Sequence, residues 1–220
     1  MNNGEPGELK PLIQVAGKEI LRHIISIYEH YGISDFILLG GYRIEDLIDF
    51  ALKYSDESLR IRVLDTGEGT PTGGRLLMAK GEINSEPFLL TYGDSLTNFN
   101  LNKCIAFKEK HKSDMIISTF NKFIEYGILD IDFDDRLTGI HEKTFSVPIN
   151  AGFYILDKRV FKYINSIDDS FEIDVLPRLI ADKDIVISSF KVDFWHPMDT
   201  PNDQIKLNAI LESTPDILYN

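Results

Sequence analysis

Apolar side chains recur at helical spacing from Lys18 to Tyr31, through Ile20, Leu21, Ile24, Ile25, Tyr28 and Tyr31, and Gly32 ends the run. This reads as an amphipathic helix. Asp35 to Gly41 follows as a short continuous apolar run closed by two glycines, the pattern of a strand buried on both faces of a parallel sheet. Helical spacing returns at Ile44, Leu47, Ile48 and Ala51. Leu59, Ile61 and Val63 then alternate with polar residues as a strand, Gly73 to Lys80 can start a helix, and Pro87 to Thr91 reads as a second buried strand. Asn100 is placed to cap a helix holding Leu101, Cys104, Ile105 and Lys108.

This alternation, up to about residue 120, predicts an α/β fold: a doubly wound, mostly parallel mixed sheet with helices on both faces, Rossmann-like in plan. After Asp114 to Phe120 the texture changes. Tyr126 to Asp132, Arg136 to Lys143 and Pro148 to Leu156 read as strands, helical patterns follow at 157–165 and 172–181, and Ile185 to Phe190 is a strand. The final helix is well signalled, with Thr200 as N-cap, Pro201 at its first position and Asp203 adding negative charge in its first turn. No repeat, low-complexity tract or linker interrupts the chain, so residues 1–220 read as one domain.

Composition narrows the partners. The chain has 220 residues, 43% of them hydrophobic, and a net charge of −12, which argues against a surface that wraps duplex nucleic acid. A small anionic ligand in a locally basic pocket stays open. Cys104 is the single cysteine, so no intramolecular disulfide and no cysteine metal knuckle can form, and a reducing cytoplasm is the natural setting. The amino terminus lacks a basic stretch followed by an apolar one, and no apolar run approaches the roughly 18 residues that span a bilayer. A soluble cytoplasmic protein is expected, acting on neither nucleic acid nor membrane.

Ligands of open parallel sheets gather beyond the carboxyl ends of the strands. Tyr92-Gly93-Asp94 ends one buried strand, where Asp94 reads equally as a capping residue or as a ligand to a divalent cation on phosphates. Asp65 to Arg75 holds four glycines in eleven residues between a strand and a helix, an arrangement that lets backbone N–H groups approach a base or a phosphate. It does not match the P-loop, because Arg75 and Leu76 stand where Lys and Ser or Thr are needed. Phe194 to Thr200 places the only tryptophan and Asp199 just before a capped helix, where Asp199 is either a second carboxylate for the same cation or a helix-entry residue. His196 reads as a packing or hydrogen-bonding residue, and no histidine pair has metal-ligand spacing, so no zinc site is expected.

Taken in order, these blocks resemble the sugar nucleotidyltransferases, and most closely the glucose-1-phosphate cytidylyltransferases. The likeness runs from about Lys10 to Leu211, through Lys10-Pro-Leu-Ile, Gly17-Lys-Glu-Ile-Leu, Asp65-Thr-Gly with Thr72-Gly-Gly-Arg-Leu76, Tyr92-Gly-Asp94, Glu142-Lys143, Asn150-Ala-Gly-Phe153 and Phe194-Trp-His-Pro-Met-Asp-Thr200. It implies the fold of nucleotide-diphospho-sugar transferases, with residues 1–120 as the nucleotide half and 121–220 as the sugar-binding and C-terminal half. The activity it implies joins CTP and a hexose 1-phosphate, glucose 1-phosphate, to give CDP-glucose and pyrophosphate. In-line attack by the sugar-phosphate oxygen on the α-phosphorus makes catalysis mainly alignment and charge neutralisation. By the same likeness Asp94 and Asp199 hold Mg²⁺, Lys10 contacts the nucleotide phosphates, and Thr72, Gly73 and Gly74 meet the nucleotide, the first two facing cytosine. Lys143 contacts the sugar phosphate, Asn150 bonds sugar hydroxyls, and Glu172 and Asp174 stand where the family has a sugar-binding acid. A homo-oligomer is implied as well.

One block of the family pattern is missing. Members open with a buried strand and a loop of the form G-G-x-G-T-R ahead of the K-P-x-[IV] element, whereas this sequence has nine residues before Lys10, with Gly4 and Gly7 flanked by Glu5 and Glu8. The loop amides and arginine hold the triphosphate, and each charge-assisted hydrogen bond lost there is worth about 1.5–3 kcal/mol. The pattern is that of an N-terminally truncated member. A truncated or misassigned start, a silent paralogue that binds nucleotide or sugar phosphate as a regulatory subunit, and a partner chain that supplies the element all remain open.

Overall fold

The computed structural model of the protein describes residues 9–219. Gly4, Glu5, Gly7 and Glu8, the opening residues weighed above, lie outside the described residues. A 3-10 turn, Lys10–Leu12, carries Pro11 in its first turn, where the fixed φ of proline suits the tight winding. A short ribbon of β1 (Gln14–Val15) and β2 (Lys18–Glu19) leads into α1 (Ile20–Glu29). The helix is apolar on two sides. Ile20, Ile24, Ile27 and Tyr28 enter the central core, while Leu21 and Ile25 pack against Leu47, Phe50 and Ala51 of α2 (Ile44–Tyr54). Gly32, at φ +80°, ends the run as its position predicts.

Strand β3 (Asp35–Gly40) pairs in parallel with β4 (Arg60–Asp65), and α2 is their crossover. Next come α3 (Thr72–Met78), β5 (Phe88–Thr91), β6 (Ser95–Thr97), α4 (Leu101–Lys110) and β7 (Met115–Phe123). The hairpin β8 (Ile128–Ile131) and β9 (Leu137–His141) precedes β10 (Ser146–Leu156), α5 (Leu176–Ala181), β11 (Ile187–Lys191), β12 (Trp195–Pro197) and α6 (Pro201–Ser213). The main sheet has the order β11-β7-β10-β5, with β11 parallel to β7 and β10 antiparallel to both its neighbours. This is the expected mixed α/β sheet. Its two faces carry separate clusters, one around Phe99, Phe153 and Leu207, the other around Tyr154, Phe171 and Leu179, because successive residues of β10 point to opposite faces.

Two expectations change. The strands read as buried on both faces, β3 and β5, are half-buried over most of their length. Among the described residues each is bonded on one side only, β3 to β4 and β5 to β10, and a one-sided strand keeps solvent access along its free edge. The two groups of strands nonetheless share a core: Phe36 of β3 and Leu89 of β5 pack against the same cluster, and the Tyr28 ring lies 6.3 Å from Phe36 and 6.1 Å from Phe153. The helical patterns at 157–165 and 172–181 also resolve into smaller pieces. The first is a 3-10 helix, Lys158–Lys162, and the second opens with a π-turn, Phe171–Val175, before α5, which begins at Leu176 followed by Pro177. Proline has no N–H to extend the preceding turn, so regular winding restarts there.

Candidate functional site

Asp94 lies in the turn between β5 and β6, and Asp199 lies between β12 and α6. A short antiparallel ladder brings them together: Thr97 pairs with Trp195, Leu96 with His196 and Ser95 with Pro197. One further bond, Met198 N–H to Asp94 O at 2.8 Å, carries the ladder to the two acids themselves. Ser95, Leu96 and Thr97 are buried and Trp195, His196 and Pro197 half-buried, so the β6 strand anchors the ladder to the core. Asp199 is also fixed from its other side, where Asp203 accepts bonds from the N–H groups of Asp199 and Thr200. Thr200 Oγ1 in turn accepts from Asp203 N–H, completing the capping box of α6.

Lys10 enters this corner from the beginning of the fold. Its Nζ donates to Asp199 Oδ1 at 3.0 Å. The reason for glycine at position 93 is visible here: a Cβ on Gly93 would stand 3.1 Å from Pro11 Cγ, so the Lys10–Leu12 turn rests on the Tyr92-Gly93-Asp94 backbone. Burial pushes the Asp94 carboxyl above the usual carboxylate range, the nearby Asp199 charge pushes it further, and Lys10 offsets part of the rise. Two carboxylates therefore converge with one ammonium, which leaves net negative charge in a corner where Asp94 is partly buried and Asp199 faces solvent, its side chain 61% exposed. The donor set is all oxygen, and among the described residues no third His, Cys, Asp or Glu joins it. That chemistry fits a hard, strongly hydrated cation such as Mg²⁺, which binds through one or two carboxylates and fills its other positions with water and phosphate oxygens.

A second cluster forms at the start of α3. Thr72 Oγ1 donates to Glu172 Oε2 at 2.8 Å and accepts from Phe171 N–H at 2.9 Å, and Ser170 Oγ also donates to Glu172. Thr72 and Glu172, assigned by resemblance to different substrates, thus touch each other. Gly73 and Gly74 have a packing reason to be glycine. A Cβ at 73 would fall 2.6 Å from Asp169 O, and one at 74 would fall 1.8 Å from Ile167 O. Asp174 faces its own chain: its carboxylate accepts from Ser170 N–H at 2.8 Å and stands 4.0 Å from Arg178.

Between the two clusters runs a line that joins Asn150 and Tyr92, both expected from the sequence, through Tyr154, which sequence reading passed over. Asn150 Oδ1 accepts from Gly152 N–H and its Nδ2 donates to Tyr154 OH at 2.5 Å; Tyr154 OH donates to Tyr92 OH at 3.0 Å. Tyr154 in turn stands edge-on to Phe171, ring centroids 5.4 Å apart. Burial raises the Tyr154 phenol to about 12, so it stays protonated and able to donate. The register of β10 shifts between Asn150 and Tyr154, and Gly152 at φ +79° makes the bulge. The Ala-Gly pair after Asn150 was the available signal for that bulge. Lys143 is not drawn into these clusters by any bond: it sits exposed, between β9 and β10. His196 bonds locally through Nδ1 to Pro197 O. A groove of about 350 Å³ follows edge strand β11 beside Ile117, Ile180 and Ile187 and is lined by no titratable group.

With this geometry in hand, comparison with known proteins is decisive. A family model described as nucleotidyl transferase matches residues 7–214. The chain belongs to that family. It is 34% identical to the probable glucose-1-phosphate cytidylyltransferase of Bacillus subtilis (strain 168), covering 91% of this chain and 87% of the relative. It is also 27% identical to the mannose-1-phosphate guanylyltransferase of Mycobacterium tuberculosis (strain ATCC 25618 / H37Rv), over 92% of this chain and 58% of that one. Among solved structures, HddC from Yersinia pseudotuberculosis complexed with GMP-PN aligns with a TM-score of 0.72 at 27% identity, covering 91% of this chain and 88% of HddC. Nucleotidyl transfer on a sugar 1-phosphate is the activity common to the named curated relatives. No helix among the described residues is long and apolar enough to cross a membrane.

Proposed function

We propose that the protein joins CTP to a hexose 1-phosphate, with glucose 1-phosphate as the preferred acceptor, and releases pyrophosphate and the CDP-sugar. The observation that carries this reading is the meeting of Asp94, Asp199 and Lys10 on the β6–β12 ladder, from three distant parts of the chain. Asp94 and Asp199 would hold Mg²⁺, which supplies positive charge to the phosphates when bound. Lys10 adds a mobile ammonium that can leave Asp199 for a phosphate oxygen. No general base is required, because a sugar phosphate with a second pKa near ~6 is already a dianion at neutral pH and attacks as such. The protein's task is to hold two anions in line against their repulsion.

Thr72, Gly73 and Gly74 meet the nucleotide in this reading, and Asn150, Glu172, Asp174 and Lys143 meet the sugar phosphate. The Thr72–Glu172 bond supports a continuous surface from base to sugar. CTP and glucose 1-phosphate are favoured by the Bacillus subtilis relative, while the guanylyltransferase match makes GTP with mannose 1-phosphate the competitor to test. The test is a coupled pyrophosphate-release assay with Mg²⁺ and each nucleotide and sugar phosphate in turn. Turnover with CTP and glucose 1-phosphate that disappears in Asp94→Ala supports the proposal. A folded sample silent with every pair, yet binding CTP or glucose 1-phosphate by calorimetry, would replace it with a non-catalytic binding role.

A further inference from the structure

Trp195 is the only tryptophan of the chain, and it stands in the strand that leads to Asp199. Its backbone belongs to the ladder, paired with Thr97 of β6, while its side chain reaches another part of the molecule. The indole N–H donates to Ala151 O of β10 at 3.1 Å. The ring centre lies 6.0 Å from that of Phe120 in β7 and 5.7 Å from Lys122 Nζ, so the ring is held by packing and by a cation over its face.

The acceptor lies in a gap. Pairing between β10 and β7 shifts register between Asn150 and Tyr154, and the peptide groups there find partners outside that ladder. Phe153 N–H donates to Ser118 Oγ at 3.0 Å, and Gly152 O accepts from Tyr92 N–H and from Thr91 Oγ1, each at 3.1 Å. One peptide unit of the bulge remains, the one that joins Ala151 to Gly152. Its oxygen accepts from Trp195, and its N–H donates to Asn150 Oδ1 at 2.9 Å. A trans peptide group is planar, so holding the oxygen also sets the direction of the N–H on the opposite edge.

We infer that Trp195 is a positioning residue, which through this one peptide unit sets the Asn150 side chain in register with the Asp199 carboxylate. Tyr92, close before Asp94, holds the neighbouring peptide unit, so each acid of the corner has its own tie to the bulge. The sugar side and the phosphate side of the site then share one frame. This rests on the proposed meeting of Asn150 with the sugar phosphate. Packing between Phe120 and Lys122 asks only for a ring at position 195. Orienting Asn150 asks for the indole N–H, so the two roles part at a single atom.

Because no other tryptophan is present, growth of a tryptophan auxotroph on 3-benzothienylalanine replaces this N–H by sulfur and keeps the shape of the ring. Amide exchange at Gly152, followed by NMR without ligand, should quicken about three- to tenfold, while Ile155 farther along β10 keeps its rate. In pyrophosphate release with Mg²⁺, KM for glucose 1-phosphate should rise about three- to tenfold, and KM for CTP should move less than about twofold. Protein carrying 5-fluorotryptophan, which retains the N–H, should match wild type in both measurements. Should the benzothienyl protein misfold, Trp195→Phe supplies a ring without a donor for the same readings. Unchanged exchange at Gly152, or KM values that rise together for both substrates, would overturn the inference. A wild type that turns over or binds glucose 1-phosphate, with affinity unmoved by loss of the N–H, overturns this inference alone. A wild type that does neither overturns the proposed activity and this inference with it.

Discussion

The β6–β12 ladder and the β8–β9 hairpin are both short antiparallel ribbons, and they behave in opposite ways. The first has three paired positions and is anchored to the core through β6, with Leu96 and Thr97 at zero exposure. The second has more paired positions and no buried residue. Ladder length is thus not what fixes a ribbon in place; the layer it packs against is. An acid pair that must be positioned within about half an ångström belongs on the first kind.

The largest way to break this contrast is at Asp94. Asp94→Ala should cut turnover by at least about 10²-fold with little change in fold, measured as pyrophosphate release beside a thermal melt. A smaller but structural break is Gly74→Ala. Its Cβ would overlap Ile167 O, so a loss of about 2–3 kcal/mol in denaturant unfolding is expected, with the Thr72–Glu172 cluster disturbed. Thr200→Ala removes half of the capping box below Asp199 and should cost about 1 kcal/mol, with KM for the substrates rising more than kcat falls. At the other extreme, Arg136→Ala in the hairpin turn breaks an exposed ion pair with Asp134 and should change stability by less than about 0.5 kcal/mol.

Acidity sharpens the same comparison. Asp94 binds its proton more tightly in the folded state than in the unfolded one, so its cost to stability at neutral pH is relieved as pH falls through its raised value. Asp203 is the reverse: burial raises it, but the bonds from Thr200 and Asp199 outweigh burial and hold it below the usual range, so its contribution is lost as pH falls. Asp94→Asn, without divalent cation, should therefore melt higher than wild type at neutral pH, by a margin that shrinks on acidification. Equal melting temperatures at neutral pH would show that the buried charge is not costly.

Several features were legible in advance because their physics is local. The Asn100 cap accepts from Lys103 N–H, the Thr200–Asp203 box closes as its spacing requires, and Gly32 ends α1. Other features had no local signal. Glycines 73 and 74 read as room for a ligand, and the structure gives them a backbone from residues 167–169 to accommodate. The exposure of β3 and β5 depends on which strands bond beside them, and an apolar run alone carries no record of its neighbours.

The sequence by itself determined the main run of helices and strands, the caps at Asn100 and Thr200, the end of α1 at Gly32 and the motif set that marks the family, since caps, turns and hydrophobic periods are satisfied within a few residues. Only the tertiary structure decided that Lys10 meets Asp199 across 189 positions, that Asp94 shares their corner, that Thr72 bonds Glu172 and that the β8–β9 hairpin stays uncovered. Those outcomes rest on strand pairing and layer packing, where the free energy belongs to two distant segments at once and is written in neither.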